Sequence, residues 1–410
     1  MSTPAPSAPP AAARPGRPGR RVRVRCLPLA GRENPYQHLM MEGLGADPRL
    51  DVAHGADGRW FAATRTALRD RPDFIHYDWN YGYFLRRHGW LTLLNAALFL
   101  ADAWVARRLL GARIAWTMHN LTPHDFAPSR LERATQRAFA RGCAWVRLFS
   151  PLSVARAAEY LRLPPARFRT LPMGSYEAVY PDTVTDADAR AALGIGADER
   201  VVLYFGALRP YKGVEELIDA FRAAAAPHWR LVVAGSPRGE AYVASLHERA
   251  AGDPRIAVHA RSVPEAEVQT FFRAADVVAL PFRNIENSSS VVLAMGFGRP
   301  VVAPALGVLP ERLAQQAELL YAPGELAGAI ARAGATADAR LRELGELNRE
   351  AIRRDPWESF SAFFVDDAAP RVESGDSRRG TELPMSHGAA EETEEQRRGS
   401  VPPPLLRRSM

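Results

Sequence analysis

A phosphate-binding turn is the clearest chemical feature of this 410-residue sequence. The apolar run Val201–Phe205 has the length and β-branched content of a buried strand, and Val214–Phe221 has a helical pattern. Between them lie Gly206, Arg209 and Lys212. A turn from a strand into a helix binds anions, because free backbone N–H groups and the positive end of the helix dipole point outward there. The sequence therefore predicts a site for a phosphorylated ligand.

The distribution of basic residues favours this site. Of the 53 basic residues only Lys212 is a lysine. Its ammonium group is a compact point charge, which suits phosphate oxygens where a planar guanidinium fork would be too wide. A solvated turn with chance basic residues is the alternative, and the sequence leaves it open.

A second set of polar residues precedes a predicted helix that begins near Ser289. They are Asn287, Ser288, Ser289 and Ser290. Such residues cap a helix and offer N–H and hydroxyl donors to a phosphate. Glu286 directly precedes them and is the candidate carboxylate of this loop. An ordinary capped helix beside a chance glutamate is the alternative.

Polar residues also follow two predicted strands in the first half of the chain. His119 and Asn120 come after Ile114–Met118, and Asp78 comes after Phe74–Tyr77. A histidine at a strand end can bind a hydroxyl group or move a proton, and Asp78 is a candidate base. The alternative for His119 is a packing or capping role. No spacing of ligands indicates a zinc site.

Two doubly wound α/β domains would position these residues. The predicted strands are Val22–Leu29, Phe74–Tyr77, Ile114–Met118, Val146–Phe149 and Arg169–Pro172 in the first half, and Val201–Phe205, Arg230–Ala234, Ile256–Ala260, Val277–Leu280 and Pro300–Ala303 in the second. Strands that alternate with helices predict mostly parallel sheets, which bind ligands at the carboxyl ends of their strands. Two Rossmann-like domains then face each other across a cleft. No G-x-G-x-x-G follows a strand, which disfavours a dinucleotide dehydrogenase.

Composition indicates a soluble globular protein without specific nucleic-acid recognition. The chain is 47% hydrophobic and 24% charged, with a formal net charge of +7. Six arginines and no acidic residue lie within residues 1–25, so the excess charge belongs to the N-terminal tail. Cys26 and Cys143 are far apart in sequence and indicate free thiols in a reducing compartment. No apolar secretory segment is present at the N-terminus, so we expect a cytoplasmic protein.

The segment Gly89–Leu110 predicts a strongly apolar helix. Asn95, Asp102 and the pair Arg107–Arg108 make it too polar for a predicted bilayer span. Its aromatic and aliphatic residues, with arginines at both ends, suit shallow insertion beside anionic lipids at the inner face of the plasma membrane. Packing of the helix on the first sheet is the alternative, and both remain open.

The stretch YFGALRPYKGVEELIDAF (residues 204–221) resembles the diphosphate-binding turn of the GT-B glycosyltransferases of family 4, also called group 1. The family pattern is G-R-x-x-x-x-K-G, which Gly206 and Lys212–Gly213 match. Ala207 occupies the position of the family arginine, and Arg209 is the nearest substitute.

Two further stretches are similar to the same family. Ala294–Met295 and Gly298–Val302 match its second-domain pattern, although Leu293 stands where the family has a glutamate that holds the nucleotide ribose. Trp116–Asp125 resembles the first-domain loop in which a histidine, here His119, faces the donor sugar. The resemblance covers about residues 22–365.

The resemblance implies a role for each candidate residue. The donor-binding residues would be Gly206, Arg209, Lys212, Asn287, Ser288, Ser289 and Ser290. The catalytic residues would be His119, Glu286 and, for an inverting enzyme, Asp78. The acceptor-binding residues would be Asn34, in the loop after the first strand, and Asn120. The family needs no metal ion or other cofactor, because cations and helix ends neutralise the leaving diphosphate.

The implied reaction moves a sugar from a UDP- or GDP-sugar donor to a glycan or polyprenyl-linked acceptor in bacterial exopolysaccharide or lipid-linked oligosaccharide synthesis. The implied organisation is an Arg/Pro-rich disordered tail (1–21), an N-terminal Rossmann-like acceptor domain (22–187), a C-terminal Rossmann-like nucleotide-sugar domain (188–355), a crossover segment (356–369) and a disordered tail (370–410).

Three alternatives belong to other classes. A nucleotide-sugar epimerase of the same fold would convert its substrate without an acceptor. A catalytically impaired partner subunit would account for Leu293. A nucleic-acid-binding protein would depend on the Arg-rich N-terminus and would lose all binding without it.

Overall fold

Two parallel β-sheets of six strands each organise the protein. The computed structural model describes residues 20–29, 31, 35–121, 129–354 and 357–368. Asn34, nearly all of the predicted N-terminal tail and the whole predicted C-terminal tail lie outside the described residues. The predicted α/β class with two Rossmann-like sheets is confirmed.

The first sheet contains strands β1 (Val22–Leu27), β2 (Leu50–His54), β3 (Phe74–Tyr77), β4 (Arg113–Thr117), β5 (Trp145–Leu148) and β6 (Phe168–Thr170). Its helices are α1 (Pro35–Gly45), α2 (Ala62–Asp70), α3 (Tyr81–Phe84), α4 (Gly89–Arg108), α5 (Arg130–Gly142) and α6 (Val154–Leu161), with short 3₁₀ turns at Pro151–Ser153 and Pro165–Arg167. The strand order is β2-β1-β3-β4-β5-β6. Strand β2 was not predicted, because it is an edge strand in which only Leu50 is buried.

The second sheet contains strands β7 (Arg200–Phe205), β8 (Trp229–Ala234), β9 (Ile256–His259), β10 (Val277–Ala279), β11 (Val301–Pro304) and β12 (Leu320–Tyr321). The remaining helices are α7 (Asp186–Ala192), α8 (Val214–Ala224), α9 (Glu240–Ala250), α10 (Glu265–Ala274), α11 (Ser289–Gly296), α12 (Leu309–Arg312), α13 (Leu326–Ala335), α14 (Asp338–Arg353) and α15 (Ser361–Ala368), with 3₁₀ turns at Pro210–Lys212, Ala314–Leu319 and Trp357–Phe360. The strand order is β12-β11-β10-β7-β8-β9.

Each sheet has one point at which the strand order reverses. In the first sheet β1 lies between β2 and β3, and in the second β7 lies between β8 and β10. Loops that follow the two strands at such a point run to opposite faces of the sheet and leave a crevice for ligands. Asp78 directly follows β3 and Gly206 directly follows β7, so both residues lie at these crevices.

The C-terminal segment 357–368 packs on the first sheet. The ring of Phe364 lies 5.3 Å from that of Phe74 in β3, and Asp367 forms a salt bridge with Arg113 in β4. Trp357 donates a hydrogen bond to the carbonyl oxygen of Ser175 at 2.9 Å. Residues from the end of the described chain therefore complete the core of the first half.

Helix α4 buries three of its polar residues together with Phe99, and it exposes several large apolar side chains. The buried Asp102 side chain accepts hydrogen bonds from the backbone N–H groups of Ala63 and Thr64, at 2.9 and 2.7 Å, and so caps the first turn of α2. Thr92 and Asn95 are also buried. The exposed side chains on the outer face include Trp90, Leu93, Leu94 and Trp104.

With a mean hydropathy of 1.4, α4 is long and apolar enough to cross a membrane, but the core helix of a soluble protein meets the same criteria. The expectation that Asn95, Asp102 and Arg107–Arg108 make it too polar for a bilayer span stays a prediction. Only 39% of its most apolar window is buried. Asp102 and Thr92 form hydrogen bonds inside the domain, and the face that carries Trp90, Leu93, Leu94 and Trp104 is left outside.

Candidate active site

The turn after β7 lies directly beside the N-terminus of α11. Gly206 has a φ of +150°, and a Cβ atom at this position would lie 3.0 Å from the hydroxyl oxygen of Ser290. The backbone N–H of Gly206 donates to the carbonyl oxygen of Ala234 in β8 at 3.0 Å, which fixes the turn to the sheet. The structure thus brings together two of the predicted donor-binding elements.

Lys212, in the loop that follows β7, lies against the loop that follows β10. Its ammonium nitrogen is 4.6 Å from the ring centre of Phe282 and 5.2 Å from that of Tyr211. Burial, and next the nearby charge of Arg209, lower the pKa of Lys212 to about 8. Among the described residues no carboxylate forms a salt bridge with this ammonium group. Its charge is therefore available to an anionic ligand.

A glycine makes this close approach possible. Gly213 has a φ of +73°, and a Cβ atom there would lie 2.1 Å from the carbonyl oxygen of Pro281. Any other residue would push the turn away from the end of β10. Arg209 precedes the 3₁₀ turn in an extended conformation, and α8 begins at Val214.

The four polar residues before and at the start of α11 have different surroundings. The Ser288 hydroxyl is the N-cap, because its oxygen accepts a hydrogen bond from the backbone N–H of Val291 at 3.2 Å. Ser289 is exposed, Ser290 and Asn287 are half-buried, and the Asn287 amide nitrogen lies 3.9 Å from the sulfur of Met173. Ser288 therefore holds the helix end in place, while Ser289 and Ser290 offer their hydroxyl groups at its mouth.

In the first half, His119 and Asp78 form a hydrogen-bonded pair. The Nε2 atom of His119 lies 3.2 Å from Oδ1 of Asp78. The other carboxylate oxygen accepts a hydrogen bond from Gln37 at 3.0 Å. The Asp78 side chain is fully buried and that of His119 is 11% exposed. Asp78 therefore lies behind His119. A carboxylate that acts directly as the base would have to be exposed at the strand end, and Asp78 is not.

Burial and charge set the protonation of this pair. Burial lowers the pKa of His119, and the contact with Asp78 only partly offsets that effect. Burial by itself would raise the pKa of Asp78, but His76, His119 and Gln37 together leave it lowered. At neutral pH the pair is thus a neutral imidazole on an ionised carboxylate. With Nε2–H directed at Asp78, Nδ1 of His119 is the nitrogen that can accept a proton.

Aromatic side chains that sequence reasoning missed hold the His119 ring in place. Trp79 stacks on it with ring centres 4.6 Å apart, and Tyr36 meets it edge-on at 4.7 Å. Phe149 lies on another side at 5.2 Å. One feature of the sequence indicated this role for Trp79, because Trp79 directly follows Asp78 at the end of the same strand.

Glu286 connects the second half to the first. Its carboxylate lies 2.7 Å from the guanidinium of Arg156 and 3.5 Å from the hydroxyl of Ser153. Burial raises the pKa of Glu286, and Arg156 opposes this effect. A nearby loop makes a similar connection, because Ser150 donates a hydrogen bond to Glu311. Arg156 was not predicted, since nothing in its helical surroundings distinguishes it from other surface arginines.

A small cavity brings together two of the predicted catalytic residues, His119 and Glu286, while Asp78 lies outside its lining. His119, Asn120, Ser153 and Glu286 all line it. Asn120 and Glu286 also border a larger neighbouring cavity of about 500 Å³. Glu286 is followed by the Asn287–Ser290 loop and Ser290 lies beside Gly206, so the pair of His119 and Asp78 is linked residue by residue to the anion-binding turn.

Asn34 lies outside the described residues, so its predicted contact with the acceptor stays a prediction. Within residues 20–29, 31, 35–121, 129–354 and 357–368, no group of three or more His, Cys, Asp or Glu side chains could hold a metal ion. The expectation that catalysis needs no metal stays a prediction as well.

Two facing Rossmann-like sheets with an anion-binding turn in the second define a GT-B glycosyltransferase architecture. Residues 199–336 match the family model described as glycosyl transferases group 1. This segment contains the turn with Lys212 and all four residues of the Asn287–Ser290 loop. The predicted resemblance is therefore confirmed for the second domain.

Particular relatives and solved structures are similar to larger parts of the chain. The GDP-mannose:glycolipid 4-beta-D-mannosyltransferase of Xanthomonas campestris pv. campestris is 30% identical over 245 residues, which are 60% of this chain and 64% of that protein. The chain thus aligns with less than two thirds of that relative's length.

Two solved structures share the fold. Sucrose-phosphate synthase from Thermosynechococcus elongatus superposes with a TM-score of 0.65 at 21% identity, over 84% of this chain and 98% of the other. Anabaena HepE in complex with UDP and glucose superposes with a TM-score of 0.65 at 18% identity, over 84% and 99%. These matches confirm the GT-B fold.

Proposed function

We propose that this protein transfers a sugar from a UDP- or GDP-sugar to a glycan or polyprenyl-linked acceptor in bacterial polysaccharide synthesis. The observation that carries the proposal is that Lys212 has no described carboxylate partner and belongs to the turn whose Gly206 lies beside Ser290 at the mouth of α11. A nucleoside diphosphate bound there places its negative charge against one ammonium group and one helix N-terminus. The similar Xanthomonas campestris protein is a GDP-mannose:glycolipid mannosyltransferase, which supports a nucleotide-sugar donor and a glycolipid acceptor. The complex of Anabaena HepE with UDP and glucose also supports a nucleotide-sugar donor.

In the proposed reaction Lys212, Arg209 and the mouth of α11 stabilise the departing diphosphate. The sugar–phosphate bond breaks, and the phosphate oxygen keeps the electron pair. Charge therefore develops on groups that already face cations and N–H donors, which lowers the barrier without a metal ion. No cofactor is needed for this step.

His119 is the proposed base for the acceptor. Its Nδ1 accepts the proton of the acceptor hydroxyl while that oxygen forms the new bond to the sugar. Asp78 positions the ring through Nε2 and stabilises the imidazolium that forms, at a distance of 3.2 Å. Such a base serves attack from the face opposite the leaving group, so the proposal includes inversion at the anomeric carbon.

A screen of donors followed by product analysis tests this function. Thermal shift with UDP, GDP and their sugars identifies the nucleotide, because a ligand that binds only the folded state raises stability. Purified protein with that donor and a lipid-linked acceptor should then release nucleoside diphosphate and form a glycosidic product. Proton NMR of the product gives the anomeric configuration, and retention would refute the role of His119 as the base.

The same assay separates the alternatives. An epimerase would convert the nucleotide-sugar with no acceptor present. An impaired partner subunit, the alternative that Leu293 suggests, would bind nucleotide and transfer nothing. Either result would refute the proposed transfer.

We also propose that α4 docks on an anionic membrane surface at the cytoplasmic face, where a polyprenyl-linked acceptor would lie. Trp90 and Leu93 are 69% and 59% exposed on its outer face, and Trp104 is 50% exposed. Arginines flank the helix at both ends, and they are Arg86, Arg87, Arg107 and Arg108. Exposed aromatic and aliphatic groups with basic ends favour shallow insertion among anionic headgroups.

Flotation with vesicles that contain anionic lipid tests the docking. Trp90→Ser/Trp104→Ser should lose vesicle binding, while Leu152→Ser should keep it, because Leu152 is 56% exposed but lies outside α4. A chain without residues 1–21 should still bind. Loss of binding on removal of residues 1–21 alone would refute docking through α4.

A further inference from the structure

A cavity lined by arginines adjoins the small cavity at His119. Its volume is about 500 Å³. The arginines of its lining are Arg133 and Arg137 on α5, Arg156 on α6 and Arg162 just after α6. On the side toward His119 it shares Asn120 and Glu286 with the smaller cavity.

The positive charge of this cavity is only partly neutralised within the protein. Glu286 pairs with Arg156 at 2.7 Å. The other three arginines form no salt bridge with a carboxylate among the described residues. Glu159 is the second carboxylate of the lining. Three guanidinium groups thus share a concave surface with one further glutamate.

Tyr160 holds two of these arginines at the cavity wall. The Nε atom of Arg137 donates a hydrogen bond to the backbone oxygen of Tyr160 at 2.7 Å. The guanidinium of Arg133 lies 5.5 Å from the centre of the Tyr160 ring. The Tyr160 hydroxyl in turn donates to the buried Glu132 carboxylate at 2.9 Å.

These guanidinium groups carry like charges and repel one another. Desolvation, and then the charges of Arg162 and Arg133, lower the pKa of Arg137. Arg133 and Arg137 are four residues apart on α5 and so lie on one side of that helix. A bound anion would reduce this repulsion, because its negative charge is opposite to that of the arginines.

We propose that this cavity binds a phosphate or diphosphate group of the acceptor substrate. The inference builds on the proposed glycosyltransferase function and specifies its acceptor class. Arginine forks bind phosphate oxygens bidentately, and several of them together suit the multiple charge of a diphosphate. Because Asn120 and Glu286 line both cavities, an anion bound here would lie next to the acceptor hydroxyl at His119. An uncharged sugar would lack this contact and bind weakly.

Titration calorimetry with inorganic diphosphate tests the site in the full-length protein. Two sites are expected in the wild type, one at Lys212 and one in the arginine cavity. Arg137→Gln/Arg162→Gln should weaken the cavity site by at least about tenfold, because two charge-assisted contacts are lost. Arg141→Gln is the matched control, since Arg141 is exposed on the same helix but does not line the cavity. Unchanged diphosphate binding in the double variant would overturn the proposal.

Two further measurements are needed. The first distinguishes a lipid-linked acceptor from a soluble phosphorylated one, and the second distinguishes failure of the donor function from failure of the acceptor inference. Tighter binding of a ten-carbon prenyl diphosphate than of inorganic diphosphate, lost in the double variant, identifies a lipid-linked acceptor. Equal binding of both probes identifies a soluble phosphorylated acceptor. Lys212→Ala should lose the diphosphate site in the turn after β7 and keep the site in the arginine cavity. If the donor function is wrong, UDP and GDP will not bind while diphosphate still binds in the arginine cavity. If the acceptor inference is wrong, UDP or GDP will bind while the arginine cavity binds no diphosphate.

Discussion

The charge of Lys212 makes donor binding depend on pH in a way that can be measured. Its pKa is lowered from 10.5 to about 8 by burial and by Arg209. Between pH 7 and pH 9 the charged fraction of such a group falls from about nine tenths to about one tenth. A bound diphosphate favours the charged form, so raising the pH removes the proton that binding requires. The affinity for the nucleoside diphosphate should therefore fall as pH rises.

The expected size follows from the same numbers. The dissociation constant of UDP or GDP should rise about tenfold between pH 7 and pH 9, which corresponds to about 1.4 kcal/mol. Phosphate groups titrate near pH 6, so the ligand itself adds little in this range. Lys212→Arg is the matched control, because a guanidinium stays charged across the range and should give a nearly flat profile.

Titration calorimetry at constant ionic strength, at pH 7, 8 and 9, measures the effect. A flat profile for the wild type would refute the role of the Lys212 charge. A slope of equal size in Lys212→Arg would assign the pH dependence to another group. Transfer activity gives a second check, since Lys212→Ala should lower it by about two to three orders of magnitude, or about 3–4 kcal/mol, with the fold intact.

Four other substitutions give equally definite expectations. Arg209→Ala should lower transfer less than Lys212→Ala does, as steady-state rates with saturating acceptor would show, and an equal or larger loss would contradict this. His119→Ala should lower kcat while leaving nucleoside diphosphate affinity unchanged. Because burial lowers the pKa of His119, the neutral base persists through pH 7, and the acidic fall of kcat/KM should lie below pH 6.5. Asp78→Asn removes the contact that raises the pKa of His119, so it should move that fall to lower pH. Asp102→Ala should destabilise the fold by about 2–4 kcal/mol in urea unfolding, because two buried N–H groups of α2 lose their acceptor. A loss below about 1 kcal/mol would mean that water replaces the carboxylate there.

The sequence predicted the central strands and the anion-binding turn because their patterns are local. Val201–Phe205 is an uninterrupted apolar run, and the glycines and the lysine that follow it have positions that the turn requires. The edge strands β2 and β12 escaped prediction, since an edge strand buries few residues and its pattern is weak. The position of Asp78 was found but its burial was not, because burial depends on α1, which supplies Gln37 from elsewhere in the chain.

Contacts between distant segments account for the other missed features. Arg156 meets Glu286 across 130 residues of sequence, and neither residue is unusual in its own surroundings. The cavity arginines come from two helices whose exposed positions look like ordinary solvated surface. The burial of Asp102 in α4 was missed for the same reason, since only the tertiary structure shows that its side chain caps α2.

The return of the C-terminal segment to the first sheet sets the order in which the protein can fold during synthesis. Trp357 fits against Gly43 and Gly174 so closely that a Cβ atom at either glycine would lie within 2.4 or 2.7 Å of its side chain. Phe364 packs in the same core, against Phe74. The half of the protein that the ribosome makes first therefore lacks part of its interior until almost the whole described chain has emerged. The half made second has all of its strands by Tyr321, and its last core helix, α14, ends at Arg353, before the segment that completes the first half. Residues 357–368 then cover the core of the first domain, and a nascent chain halted before residue 357 would expose apolar surface to chaperones and proteases.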